Sequence, residues 1–451
     1  MFAPSLTLVV LLLAGAGPSP SPSPAPDHAT LIEQLGSPRF SEREQAATAL
    51  RELGADALPA LRTARSAGDA EVRTRAAAIL DRVECELMVL PTLVKLDFRE
   101  QPLGEILKAL GERSRMVMLP EDPENQATWQ DRRISLQAPA PVPYWTAVDR
   151  LCAAGMLRFS LGASPDAVGR EQPGLLLSAG KPKVRPESDQ GPFRVKVTRL
   201  HHSRDRNLDA EDDDPEAEVV EEFHVQLEVW AEPRLLIGQV GPLTLIEAAD
   251  DRGRSLLPPA DAKETVEVED ESYDDEAFGQ GAVQLQASLK FPASPAKTIR
   301  RLRGSVPILV AARKAEPLDL PLSGPLGQLQ SNGEVRVIVH EVKNDPDGSA
   351  VSIALTVRPA SDPAVGAVAR SGEGPSPSAA SALEQQIEIA DAKGQIHSWS
   401  LTNQEAQGDG IRVTLSVIPN EPDSAPTRLR VFGLSRATIV VNFDFKDVPV
   451  P

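Results

Sequence analysis

Between residues 29 and 87 apolar side chains recur three and four positions apart, the spacing of helices buried on one face. Ala29–Leu35 is closed by Gly36-Ser37-Pro38. A second helix starts at Ser41, with Glu44 three positions on as a capping box, and carries Ala46, Ala47, Leu50 and Leu53 up to Gly54. Asp56–Ala67 is a third, with Pro59 in its first turn, where a missing N–H costs little. Asp69–Leu87 is a fourth, with Val72, Ala76, Ile79, Leu80 and Val83 on one face. From residue 93 the period changes. Val94–Phe98 alternates as a strand, Pro102–Leu110 is an amphipathic helix, and Met116–Leu119 is a strand. The order repeats with Ile134–Ala138, a helix through Trp145, Val148 and Leu151, and Leu157–Leu161. Residues 93–180 are therefore expected to form a small α+β module (two strand-helix-strand passes), with Leu175-Leu176-Leu177 as a closing strand.

The remainder alternates with period two, and five blocks recur in the same order. Val195–Leu200 parallels Val335–Val339, and His224–Pro233 parallels Ala350–Pro359. Ile246–Gly253 parallels Ile387–Gly394, each ending in an Asp-x-Arg/Lys-Gly turn between apolar strands. Val283–Leu289 parallels Ile411–Val417, and each is followed by a Pro-rich turn, an Arg-Leu strand, Gly304 or Gly433, and a last apolar strand. Residues 192–322 and 333–450 are thus expected to be two duplicated all-β units, most simply immunoglobulin-like sandwiches. Their insertions differ. Asp209–Glu222 holds nine acids and no base, Glu264–Glu276 is nearly as acidic, and Ala360–Ser381 is rich in Ala, Ser, Gly and Pro; all three read as disordered loops.

Two local resemblances add to this picture. Arg39-Phe40-Ser41-Glu42-Arg43-Glu44-Gln45-Ala46-Ala47 and its echo Asp69-Ala70-Glu71-Val72-Arg73-Thr74-Arg75-Ala76-Ala77 give residues 29–88 a likeness to HEAT-type helical repeats. That likeness implies a protein-contact module; a plain helical bundle is the alternative, since a free-standing solenoid normally needs about three repeats. Leu96-Asp97-Phe98, Pro102-Leu103, Ile106-Leu107 and Leu110 resemble the short N-terminal domain of secretins and TonB-dependent transducers. That resemblance implies a periplasmic role in protein–protein contact. Nothing in the chain resembles a secretin channel or an outer-membrane barrel, so secretion or transport is not carried over.

At the N-terminus, Leu6–Leu13 is an apolar run too short to span a bilayer, and Ala14-Gly15-Ala16 follows as a small-residue cleavage pattern. Residues 1–16 are expected to be a signal peptide and 17–28 a Pro/Ser-rich linker, with an uncleaved anchor as the alternative. Forty-one prolines fit many turns, and 451 residues exceed what one core usually organises. The net charge of −18 argues against nucleic acid and anionic membranes, which require a cationic face. Cys85 and Cys152 form no framework and leave a pair and two buried thiols both open.

Candidate chemistry is sparse. The acidic runs lack the spaced ligand-plus-Gly order of a calcium loop, and Asn344-Asp345-Pro346-Asp347-Gly348 reads as a turn. His201-His202 and His224 lie on successive strands, but adjacent strand residues point to opposite faces, so one of the pair at most joins His224. His340 has no second His in zincin spacing, and the nucleophile elbow, the P-loop and the dinucleotide glycine fingerprint do not occur. Trp129, Trp145, Trp230 and Trp399 would stack sugars if aligned, although Trp145 and Trp230 fall at apolar-face positions. No catalytic residue, metal ligand or cofactor site is assigned. The expectation is an exported, non-catalytic component of the periplasm or cell surface that contacts other proteins through sheet edges or its helical face. A carbohydrate- or cell-wall-binding module, and an enzyme without a recognisable motif, are the alternatives.

Overall fold

The computed structural model describes residues 27–450 apart from 115–117, 123–127, 166–170, 183–184, 207–218, 259–281, 293–295, 346–348, 360–382, 384–385, 409 and 420–423. The expected signal peptide, nearly all of the expected linker, the core of each acidic insertion, the Ala/Ser-rich insertion and Pro346–Gly348 lie outside the described residues. The protein is multidomain and mostly β, and the helices described below lie in its N-terminal part.

The first compact unit ends at Leu87. It comprises α1 (His28–Gln34), α2 (Phe40–Leu53), a 3-10 turn (Gly54–Ala57), α3 (Leu58–Ala64) and α4 (Ala70–Met88). The predicted apolar stripes converge: Leu31, Leu35, Ala46, Leu50, Leu61, Ala76, Leu80 and Val83 are buried in one core. The capping box does not form. Phe40 opens α2, which puts Ser41 inside the helix. Ser37 takes the entry role instead, accepting from the Arg39 N–H and donating to Glu42. At α4 the Asp69 carboxylate accepts from the Glu71 and Val72 N–H groups, satisfying two orphan donors of the first turn.

The second unit begins at Met88. Its α+β module runs β1 (Leu93–Val94), β2 (Asp97–Pro102), α5 (Leu103–Ser114), β3 (Met118–Pro120), β4 (Arg133–Gln137), β5 (Val142–Pro143), α6 (Tyr144–Gly155), β6 (Leu157–Pro165) and β7 (Glu171–Ala179). β2 pairs antiparallel with β4, whereas β3 runs parallel to β7 across a crossover. Leu96, Phe98, Leu103, Ile106, Leu107 and Leu110 are all buried in the core of this module.

The next stretch contains β8 (Glu187–Gln190), β9 (Phe193–Arg206), β10 (Val219–Ala231), β11 (Leu235–Val240), β12 (Thr244–Asp250), β13 (Ala282–Leu289) and β14 (Thr298–Arg313). Then follow β15 (Leu318–Pro321), β16 (Leu329–Ser331), β17 (Val335–Asn344), β18 (Val351–Pro359), β19 (Ile387–Ala390), β20 (Ile396–Gln407), β21 (Gly410–Ile418), β22 (Arg428–Val431) and β23 (Leu434–Pro449). One sheet has the order β13-β10-β9-β8, and β21-β18-β17-β16 follows the same order within an eight-stranded sheet. Strands β9, β10 and β13 share a core with β11, β12, β14 and β23, so two sheets face each other there.

The division at about residue 322 is crossed twice. β15 leaves the first stretch to pair with β22, while β23 returns from the end of the chain to pair with β14 over its whole length. Matching salt bridges mark the two junctions. Arg301 and Arg303 lie between Glu247 and Asp444, and Arg428 and Arg430 lie beside Asp319, with Glu388 flanking Arg430. Each stretch therefore finishes the other's sheet. The turns match as well. Asp250 accepts from the Arg252 and Arg254 N–H groups, and Asp391 from the Lys393 and Gln395 N–H groups. Gly253 and Gly394 sit at φ 78° and 82°, the left-handed region that a glycine enters without strain.

Candidate functional site

Alternation along β9 sends Val195 and Val197 into the core between the sheets and sends Arg194 and Lys196 to the opposite face. On β10, Val225, Leu227 and Val229 take the inner side, and Trp230 takes the outer one. At this end the outer face is roofed by the α+β module, whose core includes Trp230. Two cations of an acidic protein are thereby buried.

Arg194 is 2% exposed. It donates two hydrogen bonds to Asp149 of α6 at 2.7 and 2.6 Å, and two to Asp189 of β8 at 2.7 and 2.8 Å. Glu187 lies 3.2 Å away, and the Trp145 ring packs 5.3 Å from the guanidinium carbon. Burial works to lower the guanidinium pKa, but the bonds to Asp189 and Asp149 outweigh it and hold the value above the ordinary one. Lys196 is treated differently. Its ammonium lies 3.3 Å from the centre of the Trp230 ring and 4.7 Å from that of Phe159, with Glu187 at 3.6 Å. Burial pushes it down to about 8, against the pull of Glu187 and with the push of Arg194. Cys152 on α6 is buried, and desolvation raises its thiol to about 12. Such a thiol is a poor nucleophile. No disulfide joins it to Cys85.

A second staple lies beside the first. Glu232, fully buried, accepts from the N–H and hydroxyl of Thr92 and from Arg234. Arg234 in turn donates to the carbonyls of Met88 and Leu90. The chain leading into the α+β module is thus tied to the turn after β10.

The histidines divide as strand geometry requires. His201 stands opposite His224 in the ladder, while His202 stacks on Phe291 at 3.7 Å. His224 reaches Ser288 at 3.3 Å and Glu222 at 3.4 Å. This line of serine, imidazole and carboxylate lies on a sheet face with Ser288 and Glu222 exposed, and both contacts are long for hydrogen bonds. Among the described residues no group of three or more His, Cys, Asp or Glu side chains is placed to hold a metal. Trp129, Trp145 and Trp230 are buried and Trp399 is half-buried against a core, so the four build no open stacking platform. Trp230 lies across the strand from the inner valines, not with them, because both faces are covered at this end of β10.

The matching face of the second β region is also cationic. Arg336 on β17, Arg358 on β18 and Arg412 on β21 lie on its outer side, and Arg412 is exposed. His340 meets the Thr356 hydroxyl at 2.8 Å, and that hydroxyl donates to Gln407 at 2.9 Å. The imidazole pKa is lowered by burial and then by Arg412 and Arg358.

No family model matches the chain, and no curated protein matches it. A solved structure described as the conserved domain protein from Bacillus anthracis aligns over 58% of this chain and 90% of its own, at 8% identity and a TM-score of 0.14. That similarity carries no argument about fold or function. Among the described residues no helix is long and apolar enough to cross a membrane.

Proposed function

We propose that the chain is an exported, non-catalytic scaffold of the periplasm or cell surface that holds other proteins through rigid surfaces. The observation that carries this reading is the use made of three buried charged groups: Arg194, Lys196 and Glu232 all fasten one module to another. Buried ion pairs fix geometry more reliably than they add stability. In this reading residues 29–88 are a HEAT-like contact surface and 93–180 a module like the short secretin N-terminal domain. The two β regions are duplicated immunoglobulin-like sandwiches whose final strands have been exchanged, as the repeated strand order and paired salt bridges support.

The test places a photoreactive side chain at the exposed positions Arg82, Ile246 and Ile418 in living cells and combines cross-linking with fractionation. The expected result is recovery in the envelope, with discrete adducts that differ between positions. A chain retained in the cytoplasm, or the same smear from every position, overturns the reading. The aromatic platform needed for carbohydrate binding is not built by the four tryptophans, so that reading gains no support here.

A further inference from the structure

We infer that the Asn332–Gly333 turn between β16 and β17 is a site of self-modification, where the asparagine deamidates to aspartate and isoaspartate with water as the co-reactant. The inference is independent of the scaffold reading. Asn332 is the one asparagine of the sequence followed by glycine, whose bare Cα leaves the attacking amide nitrogen least hindered. β16 and β17 pair as a hairpin with Ser331 opposite Arg336, and Ser331, Asn332 and Gly333 are exposed. Gly333 sits at φ 84°, in the left-handed region that tight hairpin turns favour.

The turn sets out the groups that the reaction uses. The Gly333 N–H donates to the Ser331 hydroxyl at 3.2 Å. Asn332 Oδ1 accepts from the Glu334 N–H at 2.9 Å and the Val335 N–H at 3.1 Å, so two fixed donors face the oxygen that gains charge. The Gly333 nitrogen passes its proton through the Ser331 hydroxyl to hydroxide and attacks Asn332 Cγ. A ring N–C bond forms, and the carbonyl electron pair moves onto Oδ1. As that pair returns, Nδ2 takes a proton from water and leaves as ammonia, which closes a succinimide and restores the hydroxide. Water then opens the ring. Cleavage at Cγ leaves aspartate, and cleavage at the main-chain carbonyl leaves isoaspartate, whose main chain runs through the former side chain.

The consequence falls where the chain crosses between the two β regions. Asn332 Nδ2 donates to the Glu316 carbonyl at 3.3 Å, and Glu334 pairs with Lys314 at 2.8 Å. The Lys314 N–H in turn donates to the Gly433 carbonyl at 2.9 Å, so the turn rests on both crossing segments. Either product sets a carboxylate where the donor to Glu316 stood. Isoaspartate also lengthens the main chain by one atom inside a hairpin whose register the turn fixes.

The test incubates the purified chain in mildly alkaline buffer made with water labelled in its oxygen, then maps the chain by mass spectrometry. Electron-transfer fragmentation separates the two products. Asn332 is expected to convert several-fold faster in the folded chain than in a synthetic peptide of residues 326–340, with labelled oxygen in both products. It is also expected to outpace Asn403 and Asn442 of the same chain. Ser331→Ala is expected to slow the folded chain several-fold and to leave the corresponding peptide unchanged, since only the fold aligns that hydroxyl. Gly333→Ala, with its thermal melt compared with the parent's, is expected to suppress conversion in both chain and peptide. Isoaspartyl protein is expected to melt below the Asn332→Asp variant, which carries the charge without the added atom. An unchanged Asn332, a folded chain no faster than the peptide, indifference to Ser331→Ala, or equal melts of isoaspartyl protein and Asn332→Asp overturns the inference.

Discussion

Replacing Lys196 with Met removes a charge that the fold buries against Trp230 and Phe159 while keeping the length of the side chain. Burial holds the native ammonium at about 8, against an ordinary value of 10.5. Below about pH 8 both folded and unfolded chains carry the proton, and the folded state bears the full desolvation cost. Between about 8 and 10.5 the folded chain releases its proton first, so stability rises with pH across that window. A gap of roughly 2.5 units at ~1.36 kcal/mol each amounts to about 3 kcal/mol. Contact with the Trp230 ring favours the charged form, so that figure is an upper bound on the swing. The variant resembles the neutral side chain at every pH, so it is expected to be up to about 3 kcal/mol more stable than the parent at pH 7 and about equal to it at pH 10.5. Urea unfolding followed by tryptophan fluorescence is a suitable assay, because Trp145 and Trp230 lie at this contact, their rings 6.0 Å apart. Cys152 acts in the opposite sense: its thiol, raised to about 12, makes stability fall as pH rises above 9.0. The difference between variant and parent at each pH, not the parent's own profile, isolates Lys196. A difference that stays constant from pH 7 to 10.5 would refute the reasoning.

Arg194→Met strands the carboxylates of Asp149, Asp189 and Glu187 together and is expected to cost about 3 kcal/mol in the same assay, with Arg194→Lys costing less. Gly304→Val is expected to lower the melting temperature, since its Cβ would stand 2.5 Å from Phe443 Cζ and 2.6 Å from the Thr244 carbonyl; overpacking of this kind costs about 1–3 kcal/mol. Asp250→Ala and Asp391→Ala are each expected to speed hydrogen exchange at their own turn (the amides of Arg252 and Arg254, or of Lys393 and Gln395) and not at the other. Both carboxyl groups are held below the usual range: hydrogen bonds from Arg252 and Arg254 overcome burial at Asp250, and the Ser424 hydroxyl leads at Asp391. Their contribution is therefore present at neutral pH and lost only as acid carries the solution below that range, which exchange measured between pH 7 and 3 would follow.

Local signals in the sequence located nearly all the local structure. The stripes through Leu50 and Leu80 mark α2 and α4 because one-sided burial imposes the helical period whatever the partner is. Asp-x-x-Gly marks both turns because the carboxylate and the left-handed glycine act within five residues. What was not legible depends on residues far apart. Phe193-Arg194-Val195-Lys196-Val197 alternates like any half-solvated strand, and period-two patterning cannot tell water from a second module on the polar side. The available signal was Trp230, a large aromatic in register with the polar positions of β10. The capping box failed at Ser41 because Ser37 and Asp69 are the residues placed to answer the helix starts. The exchange of β15 and β23 leaves no local trace, since either strand alternates equally well beside its own copy or the other.

That exchange sets an order of events. Arg301 meets Asp444 across 143 residues of chain, and Val441, Phe443, Phe445 and Val448 of β23 fill the core of the first β region. The earlier-made half thus stays open along one side until β23 has been synthesised, so neither half is expected to mature without the other. Closure over so long a loop is intrinsically slow. Under the proposed export, a fold that completes itself only when β23 arrives would keep the first β region open during passage.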